Sequence, residues 1–270
     1  MHHWDTYPQC NLLTRVFRKV CAFNKQFLGL NNFDIICLQE VTKRVDKKAD
    51  SDFVTKNIVD SSLIKLTNSF YSPTWVLSKF EKADFHGEKF FSFNMGGNVE
   101  FGQYIKSVFP ISKGQNIFVQ NSFSYVTDWS KWPDEDYRAV QVTDLQLKNT
   151  KLRVLNYHGI WSKDKQGTNK TIEACKKINK LAGEVSYPSI ICGDFNLFPN
   201  TSSMRVFNNH INLLNKYNIQ TTRPESNELN SVHRNVVDYI LVSDSIKVQD
   251  FQVINTDISD HLPLILEFTI

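Results

Sequence analysis

The sequence predicts an α/β protein made of mixed β-sheets packed face to face, with helices outside. Three observations carry this reading. Short apolar or alternating runs of strand length follow one another through most of the chain. Stretches with apolar residues at helical spacing are too few for the strict strand–helix alternation of a doubly wound parallel sheet. Two strand-like runs, near 137–147 and 151–158, are separated only by Lys148-Asn149-Thr150, as in an antiparallel hairpin. The 270 residues can bury a sizeable core, and no repeat, linker or break in composition divides them, so residues 1–270 read as one domain.

Residues 11–30 place Leu12, Val16, Phe17, Val20, Phe23 and Phe27 at helical spacing, opposite Arg15, Arg18, Lys19 and Lys25, which predicts an amphipathic helix. The apolar run 33–39 predicts a strand that delivers Glu40. Residues 42–51, rich in Lys and Asp, read as a loop before a helix at about 52–66. Alternating patterns through 70–93 turn inward at Tyr71, Trp75 and Leu77, and Met95-Gly96-Gly97-Asn98 marks a turn. Runs 104–111 and 116–126 add strands before the hairpin. A polar loop at 163–167 leads to a helix over 169–184, then to an interior strand, 188–196, ending in Asp194 and Asn196. A short helical stretch near 202–208 and a polar, mobile run at 223–234 precede closing strands at 236–242, 247–254 and 262–270.

A net charge of +3 permits a polyanionic partner without arguing for one. The five cysteines are odd in number and none has zinc-type spacing, which points to a reducing, cytoplasmic setting. No run of 18 apolar residues is present, so stable membrane insertion is not expected, and the chain starts without the basic-then-apolar pattern of a secretory signal. A monomer is expected.

The chemistry gathers where predicted strands end. Glu40, Asp194, Asn196 and Asp260 offer hard oxygen ligands of the type Mg²⁺ or Mn²⁺ takes. His158 and His261 can donate hydrogen bonds to a phosphate or move a proton. Asp238, inside the apolar run Val236-Val237-Asp238-Tyr239, is a carboxylate suited to orienting a histidine. Each also has an ordinary structural account: Glu40 as a loop carboxylate, His158 as a rim histidine, Asp260 as the start of the last strand. Asp238 is the hardest to place so, because a buried carboxylate is costly without a partner.

Five segments in order, Leu38-Gln39-Glu40-Val41, Asn156-Tyr157-His158, Gly193-Asp194-Phe195-Asn196, Val237-Asp238-Tyr239-Ile240-Leu241 and Ser259-Asp260-His261, resemble the endonuclease/exonuclease/phosphatase superfamily. Residues 101–111 are similar to its Gly-Asn-hydrophobic-Ser-Arg-x-Pro-Ile segment, with Gln103 and Val108 departing from it. The resemblance implies a four-layer α/β sandwich and a metal-dependent phosphoesterase. Position by position, it implies Glu40 as the main metal ligand and Asp260 as a second metal or water ligand. It implies Asp194 as the residue that positions or deprotonates the attacking water, Asn196 as its metal- or phosphate-side neighbour, and His158 and His261 on the phosphate, with Asp238 holding His261. The family begins with a strand ending in a metal-site Asn. Here Asn11 opens a helical pattern instead, so that first strand is expected to precede Met1.

For substrate, His158-Gly159-Ile160-Trp161 has the His-x-x-Trp spacing of deadenylase-like members. Trp161 can stack on a base, Lys163 and Lys165 can meet phosphates, and Arg138 can reach toward the scissile group; an ordinary exposed loop accounts for the same residues. The expected function is Mg²⁺-dependent phosphodiester hydrolysis, nuclease-like, with nucleic acid as the foremost partner. The alternatives are a phosphomonoesterase or lipid phosphodiesterase and, outside enzymes, an inactive binding module.

Overall fold

A computed structural model describes residues 33–45, 55–77, 83–85, 88–90, 98–127, 136–224, 236–256 and 259–270. The first half contributes β1 (Ile35–Arg44), α1 (Thr55–Ser62), β2 (Asn68–Leu77), β3 (Ala83–Phe85), β4 (Glu88–Phe90), β5 (Val99–Ser107), β6 (Ile111–Gln120) and β7 (Ser124–Val126). The second contributes β8 (Arg138–Gln146), β9 (Lys151–His158), α2 (Asn169–Gly183), β10 (Ser189–Asp194), β11 (Ile211–Asn212), α3 (Leu213–Lys216), β12 (Asp238–Val242), β13 (Lys247–Val253) and β14 (Leu264–Thr269).

Two mixed sheets form the body. The first runs β1-β5-β2-β7 and the second β11-β12-β10-β9-β8-β6, while β13–β14 and β3–β4 are separate hairpins. The parallel pairs are β2–β7 and β9–β10; all other pairs are antiparallel. α1 packs on β1, the two sheets face each other through β1, β2 and β5 against β6, β8, β9 and β10, and α2 covers β6, β9 and β10. The order helix, sheet, sheet, helix is the expected four-layer sandwich.

The apolar core includes Ile105 of the first sheet and Val140, Leu155, Ile191 and Tyr239 of the second. α2 buries Ala174, Cys175, Ile178 and Ala182 at helical spacing and starts with a capping box, in which Thr168 and Thr171 exchange side chain-to-backbone hydrogen bonds. A ladder of amides crosses the apolar layer. Gln39 Nε2 donates to Asn156 Oδ1 (2.6 Å), Asn156 Nδ2 to Gln141 Oε1 (3.0 Å), and Gln141 Nε2 to the carbonyls of Phe70 (2.7 Å) and Gln103 (3.2 Å). Gln103, one of the two positions that depart from the family segment, donates to the Ala139 carbonyl at 2.8 Å.

The hairpin of β8 and β9, the helix at 169–183 and the strand at 189–194 lie where the sequence places them. The first strand differs, because it continues through Thr42, Lys43 and Arg44, which read as loop. A bulge between Leu38 and Val41 shifts the register, after which Thr42 pairs with Phe101. Thr42 is buried, and it and Thr55 each accept a hydrogen bond from the other's backbone N–H at 2.9 Å, clamping the start of α1 to β1. The helix expected at 11–30, the loop at 46–51, the Gly96-Gly97 turn, most of the polar run at 223–234 and the strand expected before Met1 lie outside the described residues.

Candidate active site

Strand register brings the chemistry together. Asp194 stands opposite His158 across the parallel β9–β10 pair and opposite Asp238 across the antiparallel β10–β12 pair, so the three residues sit abreast at one edge of the second sheet. Two glycines let these ends close up. Gly193 has φ of +130°, and a Cβ there would lie 2.0 Å from the Tyr157 carbonyl oxygen. At Gly159 a Cβ would lie 2.0 Å from the carbonyl of Phe195, and its N–H donates to the Asp194 carbonyl at 2.6 Å. Beneath, Phe195 is fully buried and meets Tyr157, Phe207 and Tyr239 edge-on, which fixes the chain between Asp194 and Asn196.

The two histidines are held in opposite electrostatic settings. His261 Nδ1 lies 2.8 and 2.9 Å from the two oxygens of Asp238. Burial opposes a charge on this ring, but Asp238, helped by Asp194, pushes its pKa up to about 9. His158 Nδ1 instead lies 2.8 Å from Arg138 Nη1, a group that can only donate. The ring must accept there, so Nε2 carries its proton. Burial first, and then the Arg138 guanidinium, hold its pKa well below the usual histidine range. His261 is therefore an imidazolium and His158 a neutral imidazole. Both Nε2 atoms face Asp194 Oδ2, at 3.6 and 3.9 Å respectively.

Asp194 uses Oδ1 to accept from the Asn196 N–H at 2.7 Å, which leaves Oδ2 for this space between the histidines. Asn196, at φ +56°, spends its carboxamide on the protein: Nδ2 donates to Gly159 O (3.2 Å) and Oδ1 accepts from Lys165 Nζ (2.6 Å). Glu40 projects from the β1 bulge at φ +54°, 3.6 Å from His158 Nε2. Shielding by the cleft walls and the nearby Asp260 carboxylate raise its pKa, against the pull of Arg138 and His261. Three acids converging on one cleft are the donor set that fits a hard divalent cation, which would relieve the repulsion raising Glu40. Among the described residues, ligand atoms of Asp194, Asp238 and His261 lie within 4.8 Å of one another. His261 already occupies both Asp238 oxygens, so this trio forms an acid–histidine pair beside Asp194.

Arg138, considered from sequence as a substrate contact, is buried with its Nε on Asp136 Oδ2 (2.6 Å) and Nη1 on His158. Trp161 borders the site, where its backbone N–H donates to Asp136 Oδ2 at 3.4 Å and its ring centroid lies 4.7 Å from Lys165 Nζ. Asp260 receives Arg223 at its carbonyl (3.1 Å) and its carboxylate (3.5 Å). Sequence reasoning did not single out Asp136, Arg223 or Thr222, whose hydroxyl accepts from the N–H groups of Val237 (3.1 Å) and Asp238 (3.3 Å). Only Asp136 had a signal, its i,i+2 spacing from Arg138. Lys165 sits in a polar loop yet is buried, and burial lowers its pKa to about 8.

The model of the Endonuclease/Exonuclease/phosphatase family matches residues 11–261. No curated protein matches. Solved structures with the same fold include an endonuclease/exonuclease/phosphatase family protein from Leptotrichia buccalis C-1013-b, with TM-score 0.66 and 15% identity over 94% of each chain. The mannosyl-6-phosphatase Bt3783 of Bacteroides thetaiotaomicron VPI-5482 superposes with TM-score 0.59 and 16% identity over 96% of this chain and 92% of that one. The human Nocturnin catalytic domain, with a bound sulfate anion, gives 0.58 and 17% over 93% and 85%.

Proposed function

Because the chain belongs to the endonuclease/exonuclease/phosphatase family, a family of phosphoester hydrolases, we propose that it is an Mg²⁺-dependent phosphodiesterase acting on nucleic acid by in-line attack of water. The observation that carries this reading is the pair of histidines whose Nε2 atoms both face Asp194 Oδ2, one seated on Asp238 and the other on Arg138.

A phosphoryl group in that space meets an imidazolium donor from His261 and a neutral N–H donor from His158. His261 places positive charge where the transition state develops negative charge, and Asp238 fixes its ring by accepting at Nδ1. Asp194 Oδ2, the acceptor between the two donors, takes the proton of the attacking water. Asn196 and Lys165 hold the carboxylate's loop in place through the hydrogen bonds at Asp194 Oδ1 and Asn196 Oδ1. Glu40 and Asp260, with Asp194, would hold Mg²⁺ or Mn²⁺, which when bound neutralises charge on the phosphate. Trp161 offers a face on which a base can stack.

The test is hydrolysis of bis-p-nitrophenyl phosphate and labelled DNA by the purified chain, with Mg²⁺ and with EDTA. Mg²⁺ should support cleavage and EDTA abolish it. Activity that survives EDTA, or an Asp194→Ala variant as active as its parent, would sink the mechanism. Faster turnover of p-nitrophenyl phosphate or mannose 6-phosphate than of DNA would favour a phosphomonoesterase, the activity named for one of the structural relatives.

A further inference from the structure

Asp136 is a buried acid that the mechanism above leaves unused. It stands two residues before Arg138, the first residue of β8, and its carbonyl accepts from Asn121 Nδ2 at 2.7 Å. One oxygen of its carboxylate takes two bonds. Oδ2 accepts from Arg138 Nε at 2.6 Å and from the backbone N–H of Trp161 at 3.4 Å. Arg138 in turn donates through Nη1 to His158 Nδ1 at 2.8 Å. Asp136 therefore joins the support of His158 to the start of the loop that carries Trp161 and Lys165.

The Arg138 guanidinium is buried and cannot lose its charge, so it must have a carboxylate beside it. Burial works against that charge, yet Asp136 first and Glu40 second hold its pKa above the ordinary value. The two acids compete for one cation. Glu40 stands at the far nitrogen of the same imidazole, 3.6 Å from His158 Nε2. A guanidinium that moved to Glu40 would leave His158 Nδ1 without its donor. It would also neutralise an acid of the proposed cation site.

We propose that Asp136 is a positioning residue whose charge keeps Arg138 on His158 Nδ1 and off Glu40. It thereby fixes the tautomer that turns the Nε2–H of His158 toward Asp194. The part played at Glu40 rests on the metal-dependent reading given above; the part played at His158 does not. A plain fastening role for Asp136 makes a different prediction, because both of its side-chain bonds use the same oxygen. Asparagine can make both bonds with its Oδ1. Asp136→Asn thus removes the charge and keeps the fastening, whereas Asp136→Ala removes both.

The test reads the imidazole ¹⁵N shifts of His158 in the intact chain without added metal. The parent should show the Nε2–H tautomer, and Asp136→Asn should lose it in part or in full. Equal tautomer populations in the two proteins would overturn the proposal. Calorimetric titration with Mg²⁺ should give a Kd roughly tenfold weaker in Asp136→Asn, as Arg138 turns to Glu40. A changed tautomer with an unchanged Kd would overturn the Glu40 part alone. No Mg²⁺ binding by the parent would overturn the metal reading, and the ¹⁵N shifts would still decide the role at His158. The effect should run through Arg138, so in an Arg138→Gln background adding Asp136→Asn should move neither the His158 shifts nor the Kd further. That pair also serves if Asp136→Asn alone does not fold, because removing both members leaves no unpaired buried charge. A further shift in the double variant would overturn the proposal.

Discussion

Arg138 and Asp238 perform matching tasks with opposite signs. One holds a histidine neutral by donating to it; the other holds a histidine charged by accepting from it. Replacing Arg138 by Gln should release the His158 tautomer, visible as a change in imidazole ¹⁵N shifts, and lower kcat roughly 10–100-fold in a folded protein. Replacing Asp238 by Asn should drop the His261 pKa from about 9 toward the ordinary histidine value and cost roughly 100-fold or more in kcat, measured on the same diester. Glu40, His158 and Asp194 were legible in sequence because each closes an apolar run, and Asp238 because it interrupts one, where a polar group needs a purpose. Lys165 was not read as buried, because its neighbours Ser162, Lys163, Asp164 and Gln166 have the composition of a solvated loop. Nothing local announces that Asn196 and Trp161 will enclose its ammonium.

At the scale of elements, β9 and β10 carry the site and depend on a contact only glycine allows. Gly193→Ala should destabilise the fold by roughly 3 kcal/mol or more, since it combines a left-handed backbone with a Cβ against the Tyr157 carbonyl; urea unfolding measures it. The β8–β9 hairpin is fastened away from the site by Arg153, whose guanidinium makes two bonds to Asp144 (2.7 and 2.9 Å) and one to the Leu181 carbonyl of α2 (2.8 Å). Both side chains are buried, so Arg153→Ala should cost about 3–5 kcal/mol. Burial disfavours the Asp144 carboxylate, yet Arg153 holds its pKa below the ordinary value. Its contribution to stability is thus complete above the unfolded-state pKa and is lost as pH falls through the folded one. An Asp144→Asn variant should show a weaker acid dependence of stability in that range than its parent. The hairpin and α2 were readable because periodicity and turn length are local. The continuation of β1 through Thr42 was not, because what makes those polar residues a strand is a long-range clamp with Thr55 and pairing with β5.

For the molecule as a whole, the proposed metal site would link ligation to folding, because a cation on the three cleft acids would offset the repulsion between them. Raising Mg²⁺ to about 100 times its Kd should stabilise the chain by about 2.7 kcal/mol, seen as a higher thermal midpoint that EDTA reverses. Layer order was legible from the ratio of strands to helices, but which strands face across the layers was not, since apolar contacts carry no address. The amide ladder through Gln39, Asn156 and Gln141 supplies one. A greasy interface alone lets two plates slide past each other at little cost; hydrogen-bonded rungs give the joint a detent, like a keyed shaft. Glu40 rides on one plate and His158 and Asp194 on the other, so that keying sets the alignment of the chemistry. Filling the ladder with methionine and leucine of similar volume should leave thermal stability equal or higher while kcat falls, a trade of indexing for adhesion.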